Sequence, residues 1–280
     1  MKYLTPLLCL ILSVCSTDAL PAKGINFKVV DDHPFIHAIL ENDPLTVKCM
    51  LLEDPQLALL ENGENSLTPL MLAACKYNCD ILYILIASGA PIDAIDRYGN
   101  TALMYAVSNF SENGDVIQFF INHKADLNVL NEEEYTPLML AASNGHTNSL
   151  QLLVQGGAKL ELKGANDCTP LFVAAESGLV TSVKTLISLG ANIEARDKWG
   201  MTPLMDAAFN NNSSIVTLLL KLGANSENVT TKPITITTKR WAYDMFPEKS
   251  TITTGSTALQ IATQYKKSDA QHVLQNWKKK

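Results

Sequence analysis

The sequence predicts an all-α solenoid of about seven helix-turn-helix units, with a β-hairpin-like insertion before the last unit. Three observations predict this fold class. A Thr-Pro-Leu or Thr-Ala-Leu triplet recurs along the chain, an alanine pair follows four of the triplets, and a Gly-Ala pair closes four of the units. Successive triplets lie 33, 35, 33, 33 and 55 residues apart, and they begin at Thr68, Thr101, Thr136, Thr169, Thr202 and Thr257. Such a period indicates stacked copies of one supersecondary unit rather than separate globular domains.

The residue types within a unit match the needs of a helical hairpin. The threonine of the triplet can accept a hydrogen bond from an unpaired amide at a helix N-terminus, and proline is tolerated at the first helical position. The alanine pair lets neighbouring helices approach closely. The glycine of the Gly-Ala pair supplies the left-handed conformation that ends the second helix. Each helix pair keeps apolar surface on two sides, so the units must stack to bury it.

The array is predicted to cover residues 33–280, with units starting near residues 33, 68, 101, 136, 169, 202 and 257. The first start is degenerate and reads His33-Pro34-Phe35. The last spacing exceeds the 33-residue period by 22 residues, which indicates an insertion over residues 229–254. Its two runs rich in Ile and Thr, 233–238 and 251–254, favour strands and predict a hairpin-like finger.

The N-terminus resembles an export signal. Lys2 is followed by an apolar run over 4–14 and then by small and polar residues, which is typical of a secretory signal peptide over residues 1–19. The run is too short to span a membrane, so no transmembrane segment is expected. The chain is therefore predicted to be exported, periplasmic or secreted, with residues 20–32 leading into the array. The alternative is a lipoprotein anchored through Cys15, although Val14 departs from the residues usual before such a cysteine.

The composition excludes some partners. Hydrophobic residues make up 47 % of the chain and charged residues 18 %, as in a folded soluble protein rather than a disordered one. The net charge is −6. Such a chain has no electrostatic reason to bind nucleic acid or an anionic membrane surface.

Taken together, the triplets, the alanine pairs and the Gly-Ala pairs resemble ankyrin repeats over nearly the whole chain after residue 32. The resemblance implies a helical solenoid that binds proteins without catalysing a reaction. One departure concerns the position after Thr-Pro-Leu, where the family usually has histidine. This chain carries apolar residues there, which either fill space between first helices or form an adaptable binding stripe: Met71, Met104, Met139, Phe172 and Met205.

No motif for nucleophilic, metal-dependent or phosphate chemistry is present in the sequence. We therefore expect no enzymatic activity, no cofactor and no metal. Cys75 and Cys79 flank the turn between two helices of one unit, and two interpretations remain open for them: a local disulfide in an oxidising compartment, or two separate thiols.

The resemblance also implies where a partner would bind, on helix ends after the alanine pair and on turn tips. The corresponding residues are Arg97, Tyr98, Glu176, Lys198, Trp199, Met201 and Phe209. Aromatic residues and arginine are enriched at binding hot spots, which adds four candidates from the insertion, namely Arg240, Trp241, Tyr243 and Phe246. The alternatives are that the turn aromatics pack on the next turn and that the insertion folds over the last unit.

These observations predict a monomeric, non-enzymatic scaffold outside the cytoplasm that binds a protein partner through a concave face, turn tips and the insertion. One form of this function is a binding protein that neutralises a toxin or an enzyme. The alternative is a secreted bacterial effector that engages a host protein. Because fold alone does not fix a partner, the sequence leaves its identity open.

Overall fold

The computed structural model describes residues 33–108, 114–236 and 250–277, except the side chains of 234–236 and 250. Within these ranges the regular secondary structure is almost entirely helical, with fourteen α-helices and two short strands. It divides into two compact parts between Lys159 and Leu160. The predicted signal peptide, the lead-in and Cys15 lie outside the described residues, as do the insertion candidates Arg240, Trp241, Tyr243 and Phe246. No helix in the described ranges combines the length and the apolar character needed to cross a bilayer.

The N-terminal part contains four helix pairs. The first helices of successive repeats pack against one another, and so do the second helices. The elements are α1 (Pro34–Leu40), α2 (Pro44–Glu53), a 3-10 helix (Pro55–Leu59), α3 (Pro69–Lys76), α4 (Cys79–Ala87), α5 (Ala102–Ser108), α6 (Gly114–Asn122), α7 (Pro137–Asn144) and α8 (Thr147–Gln155).

The C-terminal part contains three helix pairs that stack in the same way, with the two strands before the last pair. Its elements are a 3-10 turn (Ala165–Asp167), α9 (Pro170–Glu176), α10 (Val180–Ser188), α11 (Pro203–Phe209), α12 (Ser213–Lys221), β1 (Ile234–Ile236), β2 (Ser250–Ile252), α13 (Ala258–Gln264) and α14 (Ser268–Trp277). The predicted fold class, an all-α solenoid of about seven helix-turn-helix units, is confirmed.

The threonines of the triplets act as N-caps. The hydroxyl of Thr68 accepts a hydrogen bond from the Met71 amide at 3.3 Å, and that of Thr136 accepts one from Met139 at 3.2 Å. Thr202 and Thr257 cap α11 and α13 in the same manner. Thr169 differs, because its buried hydroxyl has no hydrogen-bond partner among the described residues.

The residue after the triplet lies in the core in five of the six repeats that carry a triplet, and the exception is the exposed Gln260 of the last repeat. The five buried side chains are no more than 3 % exposed, at Met71, Met104, Met139, Phe172 and Met205. The interpretation that these residues fill space between first helices is the one that the structure shows. They offer no accessible stripe to a partner.

The described ends of the insertion pair as an antiparallel ribbon. Ile234 lies opposite Ile252, and Ile236 lies opposite Ser250. The second strand begins one residue before the predicted run and ends at Ile252 rather than Thr254. The reason is that the Thr253 carbonyl accepts hydrogen bonds from the hydroxyls of Thr230 and Ser256, which turns the chain away from the ladder.

Candidate functional site

Two turn tips, 96–100 and 197–201, are closed by the same carboxylate geometry. Asp96 Oδ1 accepts hydrogen bonds from the amides of Tyr98 at 2.8 Å and Asn100 at 2.7 Å. Asp197 Oδ1 accepts from the amides two and four residues later at 2.9 and 2.8 Å. A glycine with positive φ follows the aromatic residue in each tip, at Gly99 (+74°) and Gly200 (+78°). Each tip is thus held in one backbone conformation by its own aspartate.

The tip at Asp96 is tied to the core and to the next tip. Asp96 Oδ2 accepts hydrogen bonds from the Tyr105 hydroxyl at 2.6 Å and from the Asn100 side chain at 3.1 Å. Asn100 Oδ1 accepts a bond of 2.8 Å from the side chain of Asn131 in the following tip. Burial, followed by the nearby Asp96 carboxylate, raises the pKa of Tyr105. The phenol therefore stays protonated and continues to donate to Asp96.

Cationic and aromatic side chains lie side by side on these tips. Arg97 is exposed and Tyr98 is 39 % exposed. On the other tip Lys198 is exposed, and its Nζ lies 4.4 Å from the centre of the half-buried Trp199 ring. Neighbouring tips are joined by backbone bonds of 2.9 Å, from Glu132 N to Tyr98 O and from Lys198 N to Asn166 O. Each of the two tips therefore presents a positive charge beside an aromatic ring, on a backbone that is hydrogen-bonded to a neighbouring tip.

The Trp199 tip also holds the start of the insertion. The Trp199 carbonyl accepts hydrogen bonds of 3.1 Å from the amides of Thr231 and Lys232. Arg196 donates to the Gly200 carbonyl at 2.7 Å. The same guanidinium donates to the Val229 carbonyl at 2.9 Å and to Asn228 Oδ1 at 3.0 Å. The segment that leads into β1 is therefore fixed to the tip that carries Lys198 and Trp199.

A family model for ankyrin repeats, in three copies, matches residues 35–131, 109–197 and 163–233. The chain belongs to the ankyrin-repeat family. This confirms the resemblance inferred from the triplets and the Gly-Ala pairs.

Curated ankyrin-repeat proteins match shorter stretches. An ankyrin repeat and KH domain-containing protein of Caenorhabditis briggsae is 35 % identical over 95 residues, which is 33 % of this chain and 4 % of that protein. A related protein of Caenorhabditis elegans is 31 % identical over 97 residues, again 33 % and 4 % of the two lengths. A putative ankyrin repeat protein of fowlpox virus is 43 % identical over 65 residues, covering 23 % of this chain and 12 % of the viral protein. The matches thus span only a small fraction of these relatives.

A solved structure confirms the ankyrin fold. The ankyrin repeat domain of Bcl-3, described as a member of the IkappaB protein family, is similar with a TM-score of 0.69 and 22 % sequence identity. The match covers 88 % of this chain and 99 % of that domain. At this identity the likeness shows the fold alone.

The predicted binding residues of this ankyrin-repeat chain are not equally accessible. Arg97, Tyr98, Lys198 and Trp199 lie on the tips, and Glu176 is half-buried at the end of α9. In contrast, Met201 and Phe209 do not lie on the surface as expected from the sequence, because each is only 6 % exposed. The Met201 amide donates to Asp197 Oδ1 at 2.8 Å, and the Phe209 ring packs edge-on against Tyr265 with ring centres 5.1 Å apart. Both side chains serve packing.

Arg196 was missed by sequence reasoning, although the repeat register offered a signal. It lies six residues before its triplet, where other ankyrin repeats of this chain carry Ile95, Leu130 and Lys163. Ile95 and Leu130 are exposed and neither reaches the following tip through a side-chain hydrogen bond in the described residues. Among the described residues, the arginine occupies this position in the repeat whose tip contacts the start of the insertion. Its guanidinium binds that segment through Val229 and Asn228.

The two candidate disulfide cysteines are separate thiols in the structure. Cys75 is buried near the end of α3, and Cys79 is half-buried at the start of α4. Burial raises the pKa of Cys79, with smaller contributions from the carboxylates of Asp115 and Asp80. Across the described residues, no three His, Cys, Asp or Glu side chains converge as they would around a metal ion.

Proposed function

We propose that this ankyrin-repeat chain acts outside the cytoplasm, where it binds one protein partner and thereby neutralises a toxin or an enzyme. The coarser part of this function, a scaffold for protein–protein interaction, follows from the family. The fold is typical of binding scaffolds rather than of enzymes. The site, the compartment and the consequence of binding are the parts that experiments must test.

One observation carries the proposed site, namely the Lys198–Trp199 pair on a tip braced by Asp197 and Arg196. Binding costs free energy when side chains and loops must be ordered, and a tip that is already fixed avoids much of that cost. Tryptophan, tyrosine and arginine are the side chains most enriched among binding hot spots. The tip at Arg97 and Tyr98 offers the same chemistry in the N-terminal part. We therefore place the partner on the tip at Lys198 and Trp199, together with Glu176 and the insertion residues predicted from the sequence, and the tip at Arg97 and Tyr98 is a second candidate by itself.

The binding experiment compares matched aromatic truncations. The chain without residues 1–19 is used to capture partners from the organism that produces it, and the captured proteins are identified. Their affinities for the wild type and the variants are then measured by calorimetry. Trp199→Ala combined with Lys198→Ala should weaken binding about 30-fold or more, since hot-spot truncations cost about 2 kcal/mol or more. Tyr83→Ala is the control, because Tyr83 is a 52 % exposed aromatic residue on α4 rather than on a tip. Equal losses for the tip and control variants would reject the tips as the site.

The insertion is tested separately. Trp241→Ala with Tyr243→Ala should weaken binding of the same partner if the insertion contributes to the site. Unchanged affinity in this variant, together with a loss at Trp199, would restrict the site to the tips. A partner that comes from a host cell rather than from the organism's own surroundings would favour the effector alternative over neutralisation.

Export is supported by the apolar run and the small residues over 1–19. The intact mass and the N-terminal sequence of the chain isolated from its host test it. Cleavage after Ser16 or Ala19 gives a new N-terminus at Thr17 or Leu20, whereas lipidation would leave Cys15 as the modified first residue. An intact Met1 on the isolated protein would overturn the proposal of export.

A further inference from the structure

The tip of the last repeat is closed by residues on either side of the insertion. The amide of Thr230 donates to the Ser256 carbonyl at 3.1 Å, and the amide of Gly255 donates to the Thr230 carbonyl at 2.9 Å. The Thr230 hydroxyl accepts a bond of 3.1 Å from the Ser256 amide, 26 residues away, and donates to the Thr253 carbonyl at 2.9 Å. Thr230 is only 1 % exposed. The two ends of the insertion are therefore joined to each other at its base.

The preceding tip is closed by the same bonds, although Asp197 stands where the last repeat has Thr230. The Asp197 amide donates to the Met201 carbonyl at 3.1 Å, and the Gly200 amide donates to the Asp197 carbonyl at 3.0 Å. Asp197 Oδ1 accepts from the Met201 amide at 2.8 Å, which is the part that the threonine hydroxyl takes in the last repeat. The glycine has a positive φ in both tips, +78° at Gly200 and +83° at Gly255. Thr230 thus occupies the position of Asp197, one period of 33 residues later.

The tip at Asp96, in the N-terminal part, is closed in the same way. The Asp96 amide donates to the Asn100 carbonyl and the Gly99 amide donates to the Asp96 carbonyl, both at 3.0 Å. Asp96 Oδ1 accepts from the Asn100 amide at 2.7 Å. One set of bonds therefore closes two tips of ordinary length and also the tip that holds the insertion.

The equivalence extends one residue into the insertion. The Thr231 amide donates to the Trp199 carbonyl at 3.1 Å, just as the Lys198 amide donates to the Asn166 carbonyl of the tip before it at 2.9 Å. Thr231 is therefore equivalent to Lys198, and the two tips diverge at the next residue. Between Thr231 and the glycine lie the 23 residues 232–254, where the preceding tip has Trp199 alone. This exchange accounts for all 22 extra residues of the last spacing.

We propose that residues 232–254 are a segment grafted onto a complete tip in place of its aromatic residue, and that the array folds without them. The bonds that the last tip shares with the others come from residues 230, 231, 255 and 256, all outside the grafted segment. The free-energy cost of closing a loop grows only slowly with its length, so a tip that is closed at its base tolerates a long graft.

The grafted segment takes the position of Tyr98 and Trp199. According to the proposed function, that position contacts the partner, so the graft changes what the last tip recognises while the array stays the same. This step rests on the proposed function. The separability of the segment from the fold does not, because it follows from the bonds of Thr230, Gly255 and Ser256.

The test replaces residues 232–254 with a single tryptophan, which gives the last repeat a tip of the same length as the one at Trp199. Urea unfolding followed by circular dichroism should remain cooperative, with a midpoint no lower than that of the wild type. The matched control deletes 232–254 without the tryptophan and leaves the tip one residue short. Its midpoint should fall by at least about 0.5 M, because the tip bonds can no longer all form.

A lower midpoint for the tryptophan chain would overturn the proposal, since it would assign the segment, with its buried Ile252, to the core of the array. Equal midpoints for the tryptophan chain and its control would also overturn it, because the length of the tip would then not matter. A tryptophan chain that folds and still binds the captured partner as tightly as the wild type would reject the step from graft to recognition. Unfolding needs no partner, so failure of the proposed function is distinguished from failure of the graft.

The role of Thr230 is tested in the chain of full length. Thr230→Val keeps the shape of the side chain but removes the hydroxyl that bonds to Ser256 and Thr253, so the urea midpoint should fall by at least about 0.5 M. Thr254→Val is the control, because Thr254 is exposed, and it should leave the midpoint unchanged. Equal midpoints for these two variants would contradict closure of the tip by Thr230.

Discussion

The hydroxyl of Tyr105, in α5, donates a 2.6 Å hydrogen bond to the carboxylate of Asp96, in the turn before that helix. Both side chains are buried, at 1 % and 4 % exposure. Asp96 is also the residue that closes the tip carrying Arg97 and Tyr98. The conformation of the candidate binding tip is therefore linked to the helix core through this one bond.

Tyr105→Phe removes that bond and leaves a buried carboxylate with fewer donors. Hydrogen bonds to charged groups contribute about 1.5–3 kcal/mol, so the free energy of unfolding should fall by about that amount. Urea unfolding followed by circular dichroism measures it. Tyr98→Phe is the control, since the Tyr98 side chain is partly exposed, and it should cost little. Identical unfolding midpoints for the two variants would contradict this role of the Tyr105 hydroxyl.

The same pair predicts a loss of stability at alkaline pH. Burial and the Asp96 carboxylate raise the pKa of Tyr105 in the folded state, whereas an unfolded tyrosine titrates near pH 10. The contribution of Tyr105 to stability is therefore fully present below about pH 10 and is lost as pH rises further, because only the unfolded state releases the proton. The difference in unfolding free energy between wild type and Tyr105→Phe should shrink from pH 9 to pH 11, by up to about 1.4 kcal/mol per pH unit above 10. A constant difference across this range would refute the prediction.

Thr136 and Thr169 form a matched pair for the capping threonines. Each is 2 % exposed, but only the Thr136 hydroxyl accepts a bond from the helix, at 3.2 Å from the Met139 amide. Thr136→Ala should lower the unfolding free energy by about 1 kcal/mol more than Thr169→Ala, since that is the typical value of an N-cap. Unfolding of the two variants under the same conditions gives the difference directly. A larger loss for Thr169→Ala would show that its hydroxyl has a partner after all.

Gly200 is predicted to be essential for the fit between its tip and the insertion. Its φ is +78°, and a Cβ there would lie 2.8 Å from the amide nitrogen of Thr231. Gly190 has φ +100° but its Cβ would meet nothing within 4 Å. Both alanine substitutions carry the strain of the left-handed region, about 1–2 kcal/mol, whereas Gly200→Ala adds overpacking of about 1–3 kcal/mol. Chemical denaturation should therefore show the larger loss for Gly200→Ala, and equal losses would mean that Thr231 moves aside freely.

The helices of the repeats could be predicted from the sequence because the signals that begin and end them are local. Thr136 before Pro137 caps a helix whichever repeats surround it, and the Gly-Ala pairs end helices in the same way. Burial of Phe209 could not be predicted, because its ring packs on Tyr265 of the last repeat, which only the stacking brings near. The burial of Met201 is likewise absent from the local pattern, which shows only that its amide can bond to Asp197 within the same turn. The side chain of Arg196 likewise acquires its role from the carbonyls of Gly200 and Val229, which lie four and 33 residues away. The contacts that the sequence does not predict are therefore those made where the repeats differ from one another.

Arg196 gives the sharpest test of how the insertion is held. Its guanidinium makes three hydrogen bonds, to Gly200 O, Val229 O and Asn228 Oδ1. Lysine cannot reproduce this planar fork, so Arg196→Lys should break bonds while keeping the charge. We expect hydrogen exchange of the amides of Thr231 and Lys232 to accelerate at least about 10-fold, because the segment they begin is no longer fixed to the Trp199 tip. Lys221→Ala is the control, because Lys221 is an exposed cation in the last turn of α12 rather than on a tip, and it should leave the exchange of these amides unchanged. Unchanged exchange in Arg196→Lys would mean that the backbone bonds to the Trp199 carbonyl hold the insertion without the arginine.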